Sequence, residues 1–374
     1  MPSPVGSAGR KFSGMPVVGF ILLIPLLVLF NTIANLFLLR RPRNLEMNFS
    51  PSVAVLVPLR NETSNVKLLI ESLRAQRGIE NLQVHLIDDN STDNTYQSAK
   101  ESILGDKIFE LHQGKSLPKD WLGKSFALQQ GLEFSDSEYV VVIDADVRLV
   151  PGAISSALTL LSHQNLDFAS SYPQEIAISW AERLVQPLLQ WSWLATVPLR
   201  IAERSTNSAL AVANGQFFLV RRAAIDKIGG FESVKRKVLD DIELARILLR
   251  AGFHGTVFEG SRIAQCRMYT SWNEIREGYS KSLYTAFGGV FGMCVAIVFL
   301  FVTGVLPLLL GLFGFKIAWI ALVAMIISRF LASSATRGKL FDGVLHPLSS
   351  LILIHLILRS WRMRGMTQWK GRVI

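Results

Sequence analysis

From Met15 to Leu39 the sequence is almost uninterrupted apolar residues, broken only by Asn31, Thr32 and Asn35. About 20 apolar residues cross a bilayer as a helix, whereas the apolar core of a cleaved signal peptide is only about 7–15 long. Residues 15–39 therefore read as a membrane anchor behind a polar tail, residues 1–14. Arg40, Arg41 and Arg43 follow the run, against Arg10 and Lys11 before it. That excess tilts the following domain towards the cytoplasm. Two further runs, 289–313 and 317–335, are long enough to span. A third, 344–358, is short and carries His346, Pro347 and His355. So the C-terminal membrane region, 289–358, holds two or three hydrophobic helices, ahead of a basic tail, 359–374. If that tail is cytoplasmic, an even number of crossings follows the central domain, and 344–358 lies in the interface.

Between these ends, residues 50–285 have the character of a soluble domain. Val53–Val57, Leu82–Ile87 and Tyr139–Ile143 are short β-branched runs alternating with helical patterns over Lys67–Arg77 and Thr92–Leu104. This is the signature of an α/β fold with a mostly parallel sheet. Ala211–Val220 and Thr256–Phe258 are further strand candidates, and Asp240–Ala251 is a helix ending at Gly252. Lys and Arg outnumber Asp and Glu by 39 to 29. With no zinc-knuckle, helix-turn-helix or RNA-recognition pattern, and the positives near the membrane runs, the charge favours anionic lipid and phosphate over nucleic acid. The two cysteines, Cys266 and Cys294, lie far apart and indicate neither a disulfide framework nor a zinc site.

Acidic motifs fall where strands end, the edge at which doubly wound sheets bind ligands. Pro58-Leu-Arg-Asn61-Glu62 follows the first strand, as a polar turn or as a base- or ribose-reading loop. Asp88-Asp89-Asn-Ser-Thr-Asp93 follows the second. Three carboxylates so close repel unless a cation or donors sit among them, although Ser91, Thr92 and Asp93 also cap helices well. Lys124, after Trp121-Leu-Gly, offers ammonium donors. Asp144-Ala-Asp146 follows the apolar strand Tyr139–Ile143, with both carboxylates on one face. Oxygen ligands of this kind suit magnesium or manganese, held jointly with substrate phosphates. Asn214-Gly215 is followed by Asp240-Asp241 at a helix start. There two acids either complement the dipole or supply a base that takes a proton from a hydroxyl.

The order and spacing of these motifs resemble the family-2 glycosyltransferases, which have the GT-A nucleotide-diphospho-sugar transferase fold, over roughly residues 50–285. The resemblance implies a hexosyltransferase using a UDP- or GDP-type sugar and a divalent metal. Pro58, Asn61, Glu62, Asp88, Asp89 and Lys124 would contact the donor, with Asp144 near the ribose or sugar. Asp146 would be the principal metal ligand and Asp241 the catalytic base, preceded by Asp240 where the family usually has Glu. The Gln-x-x-Arg-Trp motif of polymer-forming members is absent. Arg267-Met-Tyr269, Glu274–Lys281 and Trp369-Lys-Gly-Arg372 look instead like the membrane branch that glycosylates isoprenoid lipids, such as bacterial carotenoid and hopanoid-associated enzymes. The implied location is the bacterial inner or plasma membrane. Arg267, Lys281 or Arg372 would then steady the leaving diphosphate.

The segment 179–204 contains Trp180, Trp191 and Trp193 between Arg183, Arg200 and Arg204. Such a composition fits an interfacial helix that delivers an apolar acceptor to Asp241, or an ordinary core helix. An isoprenoid hydroxyl is the expected acceptor. Polyprenyl phosphate or a ceramide or glycerolipid is the alternative, and a catalytically silent nucleotide-sugar-binding scaffold is the alternative of another class.

Overall fold

The computed structural model describes residues 15–42 and 49–365, with backbone alone at 368–369 and 372–373. The polar tail 1–14, Arg43 and the side chain of Arg372 lie outside the described residues. Helix α1 (Met15–Leu38) is followed by β1 (Val53–Leu59), α2 (Val66–Arg74), β2 (Leu82–Asp88), α3 (Thr95–Ser102), β3 (Phe109–Gln113), α4 (Gly123–Glu133) and β4 (Tyr139–Ile143). Strand β1 is apolar throughout because both of its faces are covered, as parallel central strands require. Pro58, with no N–H to donate, falls beyond the last β1–β4 rung, Leu56–Val142. Helix α2 buries Val66, Leu69, Ile70 and Leu73, one stripe at helical spacing, against the sheet.

The chain continues through β5 (Val147–Leu149), α5 (Ala153–His163), β6 (Phe168–Tyr172), β7 (Gln174–Glu175), α6 (Trp180–Thr196), α7 (Leu199–Arg204), β8 (Phe217–Arg221), α8 (Arg222–Lys227), α9 (Asp240–Arg250), β9 (Gly255–Glu259) and β10 (Ala264–Cys266). The main sheet has seven strands in the order β3-β2-β1-β4-β8-β6-β9. Its pairings are parallel except where β8 meets β4 and β6. Reversal of β8 brings its first residues, not its last, to the edge where β1, β2 and β4 end. The expected strand over 211–220 accordingly begins only at Phe217, leaving Asn214–Gln216 as an edge loop. A smaller sheet, β5-β10-β7, stands beside that edge and aligns Val147, Cys266 and Glu175.

The remaining helices are α10 (Trp272–Ala286), α11 (Val290–Leu300), α12 (Leu306–Leu312), α13 (Lys316–Ala335) and α14 (His346–Arg362). A π-turn, Phe301–Val305, joins α11 to α12. It sits where α14 passes so close that a Cβ on Gly304 would collide with Ser350. By length and composition, 290–312 and 316–335 could each cross a membrane. Helix α1 lies along α13, and α14 lies along α10.

Helix α6 is the seam between the sheet domain and these helices. It packs on α1, α10, α13 and α14 at once. Trp191 and Trp193 are therefore only 2% and 3% exposed. The indole of Trp191 donates to the Ser328 hydroxyl at 2.9 Å, and Trp193 stacks on Tyr172. These two side chains do not meet an interface as the sequence reading anticipates, because neighbouring helices cover them. The exposed tryptophan of the segment is Trp180.

Candidate active site

The loops after β1 and β2 are laced into one unit. Leu59 and Asp88 share the last rung, and the Asp89 N–H donates to the Leu59 carbonyl at 2.7 Å. Arg60 donates to the carbonyls of Asp89 and Asn90 at 2.6 and 2.8 Å. The Asn61 carboxamide oxygen accepts the Thr92 N–H at 2.8 Å. Asn61 and Asn90 hold left-handed backbone (φ 52° and 53°), a conformation asparagine tolerates better than other non-glycine residues. Asp93, one residue before the N-cap Asn94, accepts the Thr95 N–H at 3.0 Å. Glu62 accepts from Asn65 at 2.9 Å, and Asn65 in turn accepts from Arg148 at 2.9 Å. Asp88 is buried, with one oxygen accepting from the Ser91 N–H and the other lacking a partner.

A second knot forms where β4, β8 and α9 converge. The Asp144 N–H donates to the Gln216 carbonyl at 3.1 Å. Lys124, at the start of α4, lies 2.8 Å from Asp144 and 3.9 Å from Asp240. Burial alone would lower its pKa, but Asp144, Asp240 and Asp241 outweigh that and raise it, so it stays cationic. Asp241 accepts the Gly215 N–H at 2.6 Å through one oxygen and its own helix's Ile242 N–H at 2.8 Å through the other. Gly215 sits tightly: a Cβ there would stand 3.1 Å from the Lys124 ammonium and 3.3 Å from the Asp241 Cβ, pressing on both. Burial, then the neighbouring Asp240 charge, pushes Asp241 up to about 6. Asp240 is also raised by burial, against the pull of Lys124 and Lys281. Lys281, on α10, thus comes near enough for its charge to reach this knot.

Asp146 connects the two groups. Burial and Asp144 lift it to about 6, and Glu62 adds to the rise. One of its oxygens is buried with no hydrogen-bond partner. Orphaned carboxylate oxygen beside further acids is the donor set a hard divalent cation takes, so these residues fit magnesium or manganese. Among the described residues a different metal-ligand cluster, His85, Glu110 and His112, lies on β2 and β3. Its ring nitrogens are 3.1 Å apart, with Phe134 stacked on His112.

Three expected residues are otherwise engaged. Arg267 donates twice, at 3.2 Å, to Glu182. Glu182 completes the capping box of α6 with Ser179. Burial would raise the Glu182 carboxyl, but Arg267, Ser179 and Ile178 hold it down to about 2. Nε and Nη2 of Arg267 are held by this tie. Trp191 and Trp193 are buried in the seam.

Sequence reading overlooks Glu175, Cys266 and Gln216. Gln216 donates to the Cys266 sulfur at 3.1 Å. Glu175 is buried, and burial lifts it to about 8, with Gln216 pulling down and Asp146 pushing up. The signal was thin: Glu175 is one acid in a two-residue strand.

The acids after β1 and β2, the D-x-D pair and the start of α9 gather at one sheet edge, the arrangement expected of a GT-A glycosyltransferase. Residues 54–229 match the family described as glycosyl transferase family 2. The 4,4'-diaponeurosporenoate glycosyltransferases of two Staphylococcus aureus strains, RF122 / ET3-1 and USA300, are each 24% identical over 352 residues, spanning 87% of this chain and 89% of theirs. The mannosyltransferase PcManGT of Pyrobaculum calidifontis, solved with GDP-Man and Mn2+, shares the fold at a TM-score of 0.52 and 15% identity. That likeness covers 94% of this chain and 97% of PcManGT.

Proposed function

We propose that this enzyme moves a hexosyl unit from a UDP- or GDP-type donor, with inversion, onto an apolar acceptor held in a membrane, an isoprenoid such as a carotenoid. The observation that carries the reading is the knot of Lys124, Asp144, Gly215, Asp240 and Asp241, beside Asp146. The Staphylococcus relatives' carotenoid acceptor supports the acceptor class. Two span-length helices and the exposed apolar side chains of α1, such as Phe30 and Phe37, support a membrane setting.

Asp146, with Asp144 and Glu62 close by, would hold a divalent metal. When bound, that ion offsets charge on the donor diphosphate. Lys124 stays cationic and supplies a fixed positive charge at the same edge. Asp241, fixed by two N–H groups, takes the proton of an acceptor hydroxyl as that oxygen forms its bond to the anomeric carbon and the nucleoside diphosphate leaves. A pKa near 6 lets it serve as a base at neutral pH.

The test supplies purified full-length protein with UDP-glucose or GDP-mannose, Mn2+ and an isoprenoid alcohol, and follows the glycoside by mass spectrometry. Asp241→Asn should cut transfer by about 10²–10⁴-fold. An acceptor already ionised, a carboxylate or a polyprenyl phosphate, needs no base. Undiminished transfer to such an acceptor by Asp241→Asn would move the reading to that class. No transfer from either donor by the unaltered enzyme would refute it.

A further inference from the structure

A second group of ligand-type side chains sits on the sheet, apart from the acids of the catalytic edge. Strands β2 and β3 run parallel, with His85 paired to Glu110 and Ile87 to His112. Residues two apart on a strand share a face, so His85, Glu110 and His112 stand together on one side of the sheet. There Phe134, which ends α4, stacks on the His112 ring with centroids 3.9 Å apart. His85 is 1% exposed and its Nε2 has no hydrogen-bond partner. A buried imidazole is costly unless something bonds to it, and what faces this one lies at Nδ1.

The three ligand atoms form a nearly equilateral triangle. His85 Nδ1 is 3.1 Å from His112 Nε2, and Glu110 Oε2 lies 3.6 Å from the first and 3.5 Å from the second. A shared proton would explain the nitrogen pair alone. It leaves the carboxylate unexplained, since a charge-assisted bond from either ring closes to about 2.7–2.9 Å. A common partner bonded to all three atoms explains the whole triangle. Bonds of about 2.0–2.1 Å to one tetrahedral ion set its ligand atoms about 3.3–3.4 Å apart. Two imidazoles and a carboxylate suit zinc and its neighbours, whereas magnesium and manganese favour oxygen sets such as that at Asp146.

We propose that His85, Glu110 and His112 bind a transition-metal dication of the zinc class, with water as the fourth ligand, and that the ion clasps the outermost strand to its neighbour. Strand β3 is hydrogen-bonded to β2 alone. Its next residue, Gly114, donates to the Asp88 carbonyl at 2.8 Å, and a Cβ there would stand 2.6 Å from that oxygen. The clasp therefore fastens β3 three residues before Asp88, about 10 Å along β2, and is separate from the ion that Asp146 would hold.

The test uses tag-free, full-length protein in detergent, stripped with chelator and titrated with Co2+ in excess Mg2+, which occupies carboxylate sites. Tetrahedral Co2+ with nitrogen ligands absorbs in the visible, and equimolar Zn2+ should bleach the bands. Glu110→Gln alters an exposed carboxylate, and His112→Ala removes a half-buried ring. Each should weaken Zn2+ binding by more than the roughly 10–100-fold that loss of an outer-shell partner costs. Zn2+ should raise Tm in the parent and not in Glu110→Gln, and Asp146→Ala should keep the Co2+ spectrum. If His112→Ala fails to fold, Glu110→Gln decides alone. No visible band in the parent would reduce the cluster to a hydrogen-bonded histidine pair and overturn the site. So would a band that survives the ligand variants, or one that disappears in Asp146→Ala while persisting in Glu110→Gln.

Discussion

Asp241 and Asp146 show how position decides what a carboxyl can do. Both are lifted from the ordinary 3.8 to about 6 by burial and neighbouring acids. With a folded pKa above the unfolded one, each carboxyl favours the fold while protonated, and that contribution is lost as pH rises from about 4 through about 6. The metal-free enzyme should therefore lose thermal stability across this window. A cation binds the ionised form, so Mn2+ should raise Tm clearly at pH 7 and hardly at pH 5, and Asp146→Ala should abolish the rise; differential scanning fluorimetry reads both. Transfer to an isoprenoid alcohol should likewise climb with an apparent pKa near 6, assigned to the coupled acids together. A flat profile between pH 5 and 7.5 would contradict this role. The acids themselves were legible in the sequence because each follows a strand directly, and chemistry at a strand's end is local. Glu175 was not, because its place depends on β7 pairing with β10 some ninety positions later. The pairing of Arg267 was hidden for a similar reason, since its partner Glu182 belongs to a distant helix start.

At the level of elements, α1 is tied to α6 by polar bonds and not by apolar packing alone. The Asn35 amide donates to the carbonyls of Leu194 and Val197 at 2.8 and 2.6 Å and accepts the Leu199 N–H at 3.1 Å. Nearby, Thr32 and Trp191 share the hydroxyl of Ser328. Asn31, Thr32 and Asn35, the interruptions in an apolar run, thus mark the face that α1 turns to the protein. Asn35→Ala strands buried carbonyls, at a cost of about 1–3 kcal/mol. The melting temperature should fall by roughly 1–4 °C; a shift under about 0.5 °C would mean that water replaces these bonds. Periodicity located the helix at 180–196 but not its neighbours. A stripe of tryptophans reads alike whether lipid or another helix covers it, and only the assembled bundle separates the cases.

For the whole molecule, apolar side chains face outward at both ends of the sequence, among them Phe37, Phe291 and Phe313 at 79–85% exposure. A chain carrying these surfaces should stay with the membrane fraction under carbonate at pH 11 and leave it only with detergent, as immunoblotting would show; release by carbonate alone would count against a spanning arrangement. The sheet domain and the helices share α6, so the catalytic edge has a fixed bearing on the bundle. The clasp at Asn35 also has a consequence in time. Its partners on α6 and α7 are about 160 positions downstream, and at about 5–20 residues per second a ribosome needs roughly 8–32 s to make them. Until then the first helix carries an amide with nobody to hold, and nascent chains halted before residue 194 should show it more open to other partners than chains halted beyond 210.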